Sequence, residues 1–283
     1  TYACIVPTNI KVFLASILSK IIIYFTGKIK FKKINNINFK LNLSEGIDLR
    51  LFLNLLEEKD LYFSLTKILS PYKKCTLIDI GANIGSVSLN LAKIFKKSNI
   101  LSIEPTFYAF EKLKININLN KKLKKRIKVS NLFVSNKKKL DKFTYSSWKL
   151  DFNKNSHPIH RGVLKRNSNN QKSLDNIIKK AKKVDFIKID TDGNEFHILL
   201  SGKSQIKKYK PIIHMELAPY LFRENGFSIK QLINFVMKDL KYKFYTEKLE
   251  VIENIDHYIK NIGNSSKNTF LISSKFDFNK NSR

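Results

Sequence analysis

The sequence predicts an α/β protein, a mostly parallel sheet with helices on both faces, and three stretches carry that expectation. The first is residues 76–86, Thr-Leu-Ile-Asp-Ile-Gly-Ala-Asn-Ile-Gly-Ser. Its apolar run has the length of a buried parallel strand. Gly81 and Gly85 then form a turn, and Ile84, Val87, Leu91 and Ile94 recur at helical spacing. The second stretch is 100–104, an apolar run that ends on Glu104. The third is 184–195, where a buried strand delivers Asp190 to its carboxyl end. In open α/β sheets that is the edge where ligands bind.

Along the chain, residues 10–25 are apolar apart from Lys11, Ser16, Ser19, Lys20 and a tyrosine. That is too short and too interrupted for a membrane span. A helix packed on the domain is the expected form, with peripheral membrane contact beside anionic lipid as the alternative. The pattern at 48–69 is helical, and Pro71 closes it. Residues 1–71 are therefore expected as an N-terminal helical cap and 72–283 as the main domain; a weak alternation at 35–42 suggests a strand pair. A helix follows at 108–119, a third strand at 127–134, and polar loops at 137–142 and 153–171. His157 and His160 in the second loop are expected to be solvated rather than metal ligands. Beyond the strand at 211–217 come a helix at 227–240 and two closing strands, near 243–245 and 269–272.

Net charge is +30, from 53 basic and 23 acidic residues. A nucleic-acid reading follows from that number alone. Against it, Lys, Asn and Ile are abundant together, as in products of AT-rich genomes, and the basic runs lack interleaved aromatics that stack on bases. Cys4 and Cys75 make neither a disulfide framework nor a metal spacing, so a reduced, cytoplasmic setting and no metal are expected. The chain opens on Thr1 rather than Met, as a fragment or a processed form would.

The turn at 79–85 reads Asp-x-Gly-x-Asn-x-Gly, with Asn83 where a dinucleotide fingerprint has a glycine. S-adenosylmethionine carries no phosphate, so its site manages with fewer glycines and uses acids for an amine and a ribose. Asp79 and Glu104 supply them, Glu104 at the position that accepts from ribose hydroxyls. Asp79, Gly81, Asn83, Gly85 and Glu104 are thus the cofactor-binding candidates. Asp190 is the first candidate for a base or an orienter of the substrate. Asp192 and Glu195 stand at a capping-box spacing, which competes with a catalytic role for both. His214 and Glu216 share one face of their strand, and either is placed to take a proton; for His214 a buried ring bonded to a backbone carbonyl is the competing structural role.

Five segments together resemble the FkbM family of S-adenosylmethionine-dependent methyltransferases. They are 79–85, 103–105, 173–178, 187–195 and 211–216, in the family's order. The resemblance implies a class I methyltransferase (Rossmann-like) fold with a seven-stranded sheet whose last strand is antiparallel. It also implies O-methylation of sugars, glycolipids or similar hydroxyls, against which a nucleic-acid methyltransferase or binding protein stands as the alternative. Two departures are visible. Thr191-Asp192-Gly193 replaces the usual Val-Glu-Gly, and Ser135-Asn136 stands where the family often has an acid for adenine, which makes Ser135 the adenine-side candidate.

Overall fold

The computed structural model describes residues 8–55, 58–70, 73–137, 143–146, 150 and 162–278. Numbered along the chain, the strands of its main sheet are β1 (Thr76–Ile80), β2 (Asn99–Ile103), β3 (Ile127–Ser130), β4 (Phe186–Ile189), β5 (Ile212–Leu217), β6 (Tyr242–Tyr245) and β7 (Lys267–Ser273). Their spatial order is β6-β7-β5-β4-β1-β2-β3. β7 runs antiparallel to both its neighbours, and every other pairing is parallel. This is the α/β, class I arrangement expected from the sequence. Strand order reverses between β1 and β4, so the loops that leave those two strands part to opposite faces and open a crevice.

Alternation along the buried strands divides the core in two. One face sets Ile78, Ile80, Ile187, Ile189 and Met215 against helices Glu195–Ser201, Lys203–Tyr209 and Ile255–Ile262. The other sets Leu77, Phe186, Ile212 and Phe270 against helix Ser86–Ile94 and the N-terminal segment, whose Phe39, Leu41, Leu61 and Leu65 are fully enclosed.

That N-terminal segment contains more than helices. Strands Ile29–Ile34 and Ile37–Asn42 form a hairpin around Asn35 and Asn36, both at positive φ (48° and 59°), as a type I′ turn requires. The helix expected at 48–69 is two helices, Gly46–Phe52 and Lys59–Ile68; Asn54 at φ 59° leaves helical geometry between them. The third strand also ends early. Asn131 donates its side-chain amide to the carbonyls of Glu104 and Pro105, drawing the chain out of the sheet after Ser130. Phe133–Val134 then pairs with Gln171–Lys172 as a separate ribbon, beside a second hairpin of Phe143–Ser146 and Val163–Arg166. His157 and His160 lie outside the described residues.

Candidate active site

β1 leads into a turn at Gly81 (φ 83°), Asn83 (φ 47°) and Gly85 (φ 88°). A Cβ on Gly81 would stand 1.8 Å from the Asp190 carbonyl oxygen, so the loops after β1 and β4 touch there and only glycine fits. Gly85 answers a packing need instead, since a Cβ there would meet Leu113 at 2.7 Å. The amides of Gly81 and Ala82 donate to the Ile103 carbonyl, at 2.9 and 3.0 Å, and tie the turn to the end of β2.

Glu104 sits beside this turn, 5 % exposed. Its Oε2 accepts from the Asn83 amide at 2.9 Å and its Oε1 from the Thr106 amide at 2.9 Å and the Thr106 hydroxyl. Burial raises its pKa against the pull of those donors. A carboxylate offers about four acceptor positions, so Oε2 keeps one beyond the Asn83 bond. Glu104, Leu132, Phe133, Val134, Asn194 and Ile198 are among the walls of a slot on this side of Gly81. Asn194 gives its amide N–H to the Val134 carbonyl at 2.8 Å, while its Oδ1 is buried without a hydrogen-bond partner among the described residues.

This set suits S-adenosylmethionine: a carboxylate with a free acceptor position for a ribose hydroxyl, an orphaned amide oxygen for an exocyclic amine, and apolar walls for a base. At about 40 Å³ the slot has room for a few waters only. A nucleoside therefore requires its walls to give, and these include Thr144 and Tyr145 of the second hairpin, outside the main sheet.

Below the turn, one register row crosses four strands on a single face: Ser102, Asp79, Lys188 and His214. All are at most 3 % exposed. Asp79 Oδ2 accepts from Ser88 Oγ at 2.5 Å, which uses the only proton of that hydroxyl, so Ser102 is the donor in the 2.6 Å contact between the two serines. Asp79 Oδ1 is buried and unbonded among the described residues, and burial pushes the pKa of Asp79 up. Burial disfavours the Lys188 ammonium, yet Asp190, Glu58 and Asp79 around it push its pKa above the ordinary value.

The row climbs to the carboxyl edge, where Asp190 and Glu216 follow Lys188 and His214 by two residues and keep their parity. They line a cleft of about 390 Å³ on the other side of Gly81, with Asp192, Lys188, Asn268 and, from the N-terminal segment, Glu58 and Arg50. Burial works against the Asp190 carboxylate, but the Lys188 ammonium bonded to it at 2.6 Å prevails and holds its pKa below the ordinary value. At Glu216 the Ser266 hydrogen bond and the Lys188 charge are outweighed: burial first, then Asp190 and Glu195, push its pKa up to about 8. Burial and the carboxylates of Glu216, Asp190 and Glu195 lift Asp192 well above the usual range.

The structure thus brings together Gly81, Asn83, Glu104, Asp190 and Asp192, and holds other candidates apart. Glu195 is fully buried and accepts at Oε1 from the amides of Thr191 (2.9 Å) and Gly193 (3.2 Å), fastening the loop in which Asp192 takes φ 52°. The capping box does not form: Asn194 is the cap residue, and its side chain makes no capping bond. His214 Nε2 faces Glu247 Oε1 at 3.2 Å instead of a backbone carbonyl, and the ring stands edge-on to Phe270. It lines neither cavity described above. Ser135 is 2 % exposed; its amide donates to the Lys172 carbonyl and its hydroxyl accepts from the Lys137 amide. Lys188, Glu58, Arg50 and Asn194 escaped the sequence reading. Of these Lys188 carried a signal, a charge inside a four-residue buried strand.

A family profile described as Methyltransferase FkbM domain matches residues 79–244. No curated protein matches the chain in sequence. Among solved structures, the FkbM methyltransferase from Methylobacillus flagellatus KT is 16 % identical with a TM-score of 0.42; 71 % of this chain is covered, and it spans 44 % of that one. The METTL16 methyltransferase domain is 13 % identical at TM-score 0.46, covering 93 % of this chain and 80 % of its own. TYW2 from M. jannaschii, in complex with AdoMet, is 14 % identical at TM-score 0.40, covering 86 % and 84 %.

Proposed function

The chain belongs to the FkbM methyltransferase family, whose methyl donor is S-adenosylmethionine, and we propose that it methylates a hydroxyl of a neutral sugar, glycolipid or similar acceptor. The observation that carries this reading is the carboxyl-rich lining of the cleft. On a protein of net charge +30, the described lining holds four carboxyl groups, Glu58, Asp190, Asp192 and Glu216, three of them pushed toward the protonated form, beside Arg50 and Lys188. Such a lining offers both hydrogen-bond donors and acceptors to a polyol.

When bound, S-adenosylmethionine supplies an activated methyl group. Glu104 and Asn194 would hold its ribose and base from the slot, with Gly81 and Asn83 shaping the turn between. Asp79 lies beneath that turn and fixes helix Ser86–Ile94 to β1 through Ser88. Across Gly81, Glu216 is the group to take the hydroxyl proton, because its pKa of about 8 puts it near a working pH, where a base is most effective. Asp190 orients the acceptor: its bond to Lys188 makes it a weak base and a fixed acceptor. Asp192 stands beside them in the cleft, and Glu195 keeps its loop in place.

The test is transfer of labelled methyl to a panel of neutral glycosides and to a short RNA, in low and high salt. Label on glycoside hydroxyls, with RNA unlabelled, is the expected result. Labelled RNA, with a rate that falls steeply with salt, sinks the reading. Glu104→Ala is expected to weaken calorimetric binding of S-adenosylhomocysteine by roughly tenfold or more.

A further inference from the structure

Helix Thr8–Thr26 faces the wrong way for a helix that only packs on a domain. Toward the protein it turns Val12, Ser16 and Ser19, each under 9 % exposed, and Ser19 Oγ donates to the Leu43 carbonyl at 2.7 Å. Toward solvent it turns Phe13, Leu14, Ile17, Leu18, Ile21 and Phe25, exposed by 42 to 78 %. Those positions recur at three- and four-residue spacing, so they form one stripe along the helix. A surface helix of a water-soluble body shows the reverse pattern, and a contiguous apolar patch of this kind marks a contact surface. In the hairpin that follows the helix, Ile29 and Phe31 are exposed as well, at alternate positions of their strand.

Lysines border it. Lys20, Lys28 and Lys33 are all exposed, and nothing acidic lies between residues 8 and 44. No helix among the described residues is long and apolar enough to cross a membrane. We propose that this face is a membrane-docking surface: the helix lies in the plane of an anionic bilayer, its stripe among the acyl chains and its lysines at the headgroups. Charge decides between this occupant and a second copy of the chain, because two copies joined through the stripe would bring like-charged lysine borders together.

The test is co-sedimentation of the full chain with vesicles of phosphatidylcholine alone or mixed with phosphatidylglycerol. Binding to the mixed vesicles is expected, weaker by roughly tenfold or more on the neutral ones and in high salt. The double variant Phe13→Ser, Ile17→Ser should lose vesicle binding while its circular dichroism and its S-adenosylhomocysteine affinity stay those of the parent. The pair Lys28→Glu, Lys33→Glu should lose the preference for phosphatidylglycerol and keep the fold. Failure of the parent chain to sediment with either vesicle overturns the proposal, and so does vesicle binding that survives the Ser variant. Self-association without vesicles, abolished by the Ser variant, assigns the face to a second copy and overturns it as well.

Discussion

Glu104 and Glu216 stand on opposite sides of Gly81 and are the same chemical group in two kinds of surroundings. Glu104 meets backbone and hydroxyl donors: the amides of Asn83 and Thr106 and the Thr106 hydroxyl. Glu216 has one such donor, the Ser266 side chain, and meets the fields of other carboxylates, Asp190 and Glu195. Both are raised by burial. The difference lies in what opposes or adds to it. Donors fix a carboxylate in one orientation, which suits holding a ligand. Crowding leaves a proton loosely shared near neutral pH, which suits moving one.

The largest effect is expected from removing the Lys188 ammonium, which opposes burial at Glu216 and stands among Asp190, Glu58 and Asp79. Lys188→Met leaves the fully buried Asp79 and the partly buried Glu58 without their counter-charge, and leaves the half-exposed Asp190 to solvent; it is expected to cost about 3 kcal/mol in urea unfolding. The sign of its pH dependence follows. Asp79 and Glu58 already have folded pKa values above the ordinary ones and lose the cation that holds them down, so the folded variant keeps protons that the unfolded chain has lost. Stability of the variant is therefore recovered on acidification and falls as pH rises. A variant equally stable at about pH 5 and about pH 8 would mean that the row carries no net charge.

Glu216→Gln sharpens the comparison. Its turnover is expected to fall by roughly 10²-fold, with loss of the rising limb of the pH–rate profile near 8. Stability moves the other way. Because the folded pKa lies above the unfolded one, the parent loses stability as pH rises toward 8, and the Gln variant does not, so it should unfold at higher temperature under alkaline conditions. An unchanged rate profile would return the base role to Asp190. The smallest effect belongs to His214→Asn, which removes the contact with the partly exposed Glu247: about 1 kcal/mol of stability and less than about tenfold in turnover. A larger kinetic loss would put His214 into the chemistry after all.

Much of the scaffold was legible because parallel strands are buried on both faces and read as short apolar runs. Each of β1, β2 and β4 is followed closely by a glycine or an acid, and that placed Gly81, Glu104 and Asp190 at the sheet edge before any contact was known. The rest depends on distances that a sequence does not carry. Glu58 reaches the cleft from a helix that packs across the sheet face, over a hundred residues before Asp190. Asn194 is one polar residue among several in its loop, and only its orphaned oxygen sets it apart. The spacing of Asp192 and Glu195 suggested a capping box, but positive φ at Asp192 lets Glu195 fasten the amides of Thr191 and Gly193 instead. Ser135 was placed by analogy with an acid, and it sits just past the ribbon, its amide donating to the Lys172 carbonyl and its hydroxyl accepting from the Lys137 amide.

Gly81 borders the slot and the cleft at once, and its Cα has the Asp190 carbonyl directly behind it. A methyl side chain there would stand 1.8 Å from that carbonyl oxygen and force the two loops apart, and a displacement of about 1 Å between reacting groups is enough to cost on the order of 10²-fold in rate. The glycine thus sets the span over which a group can be handed from one compartment to the other, before any acid or base takes part.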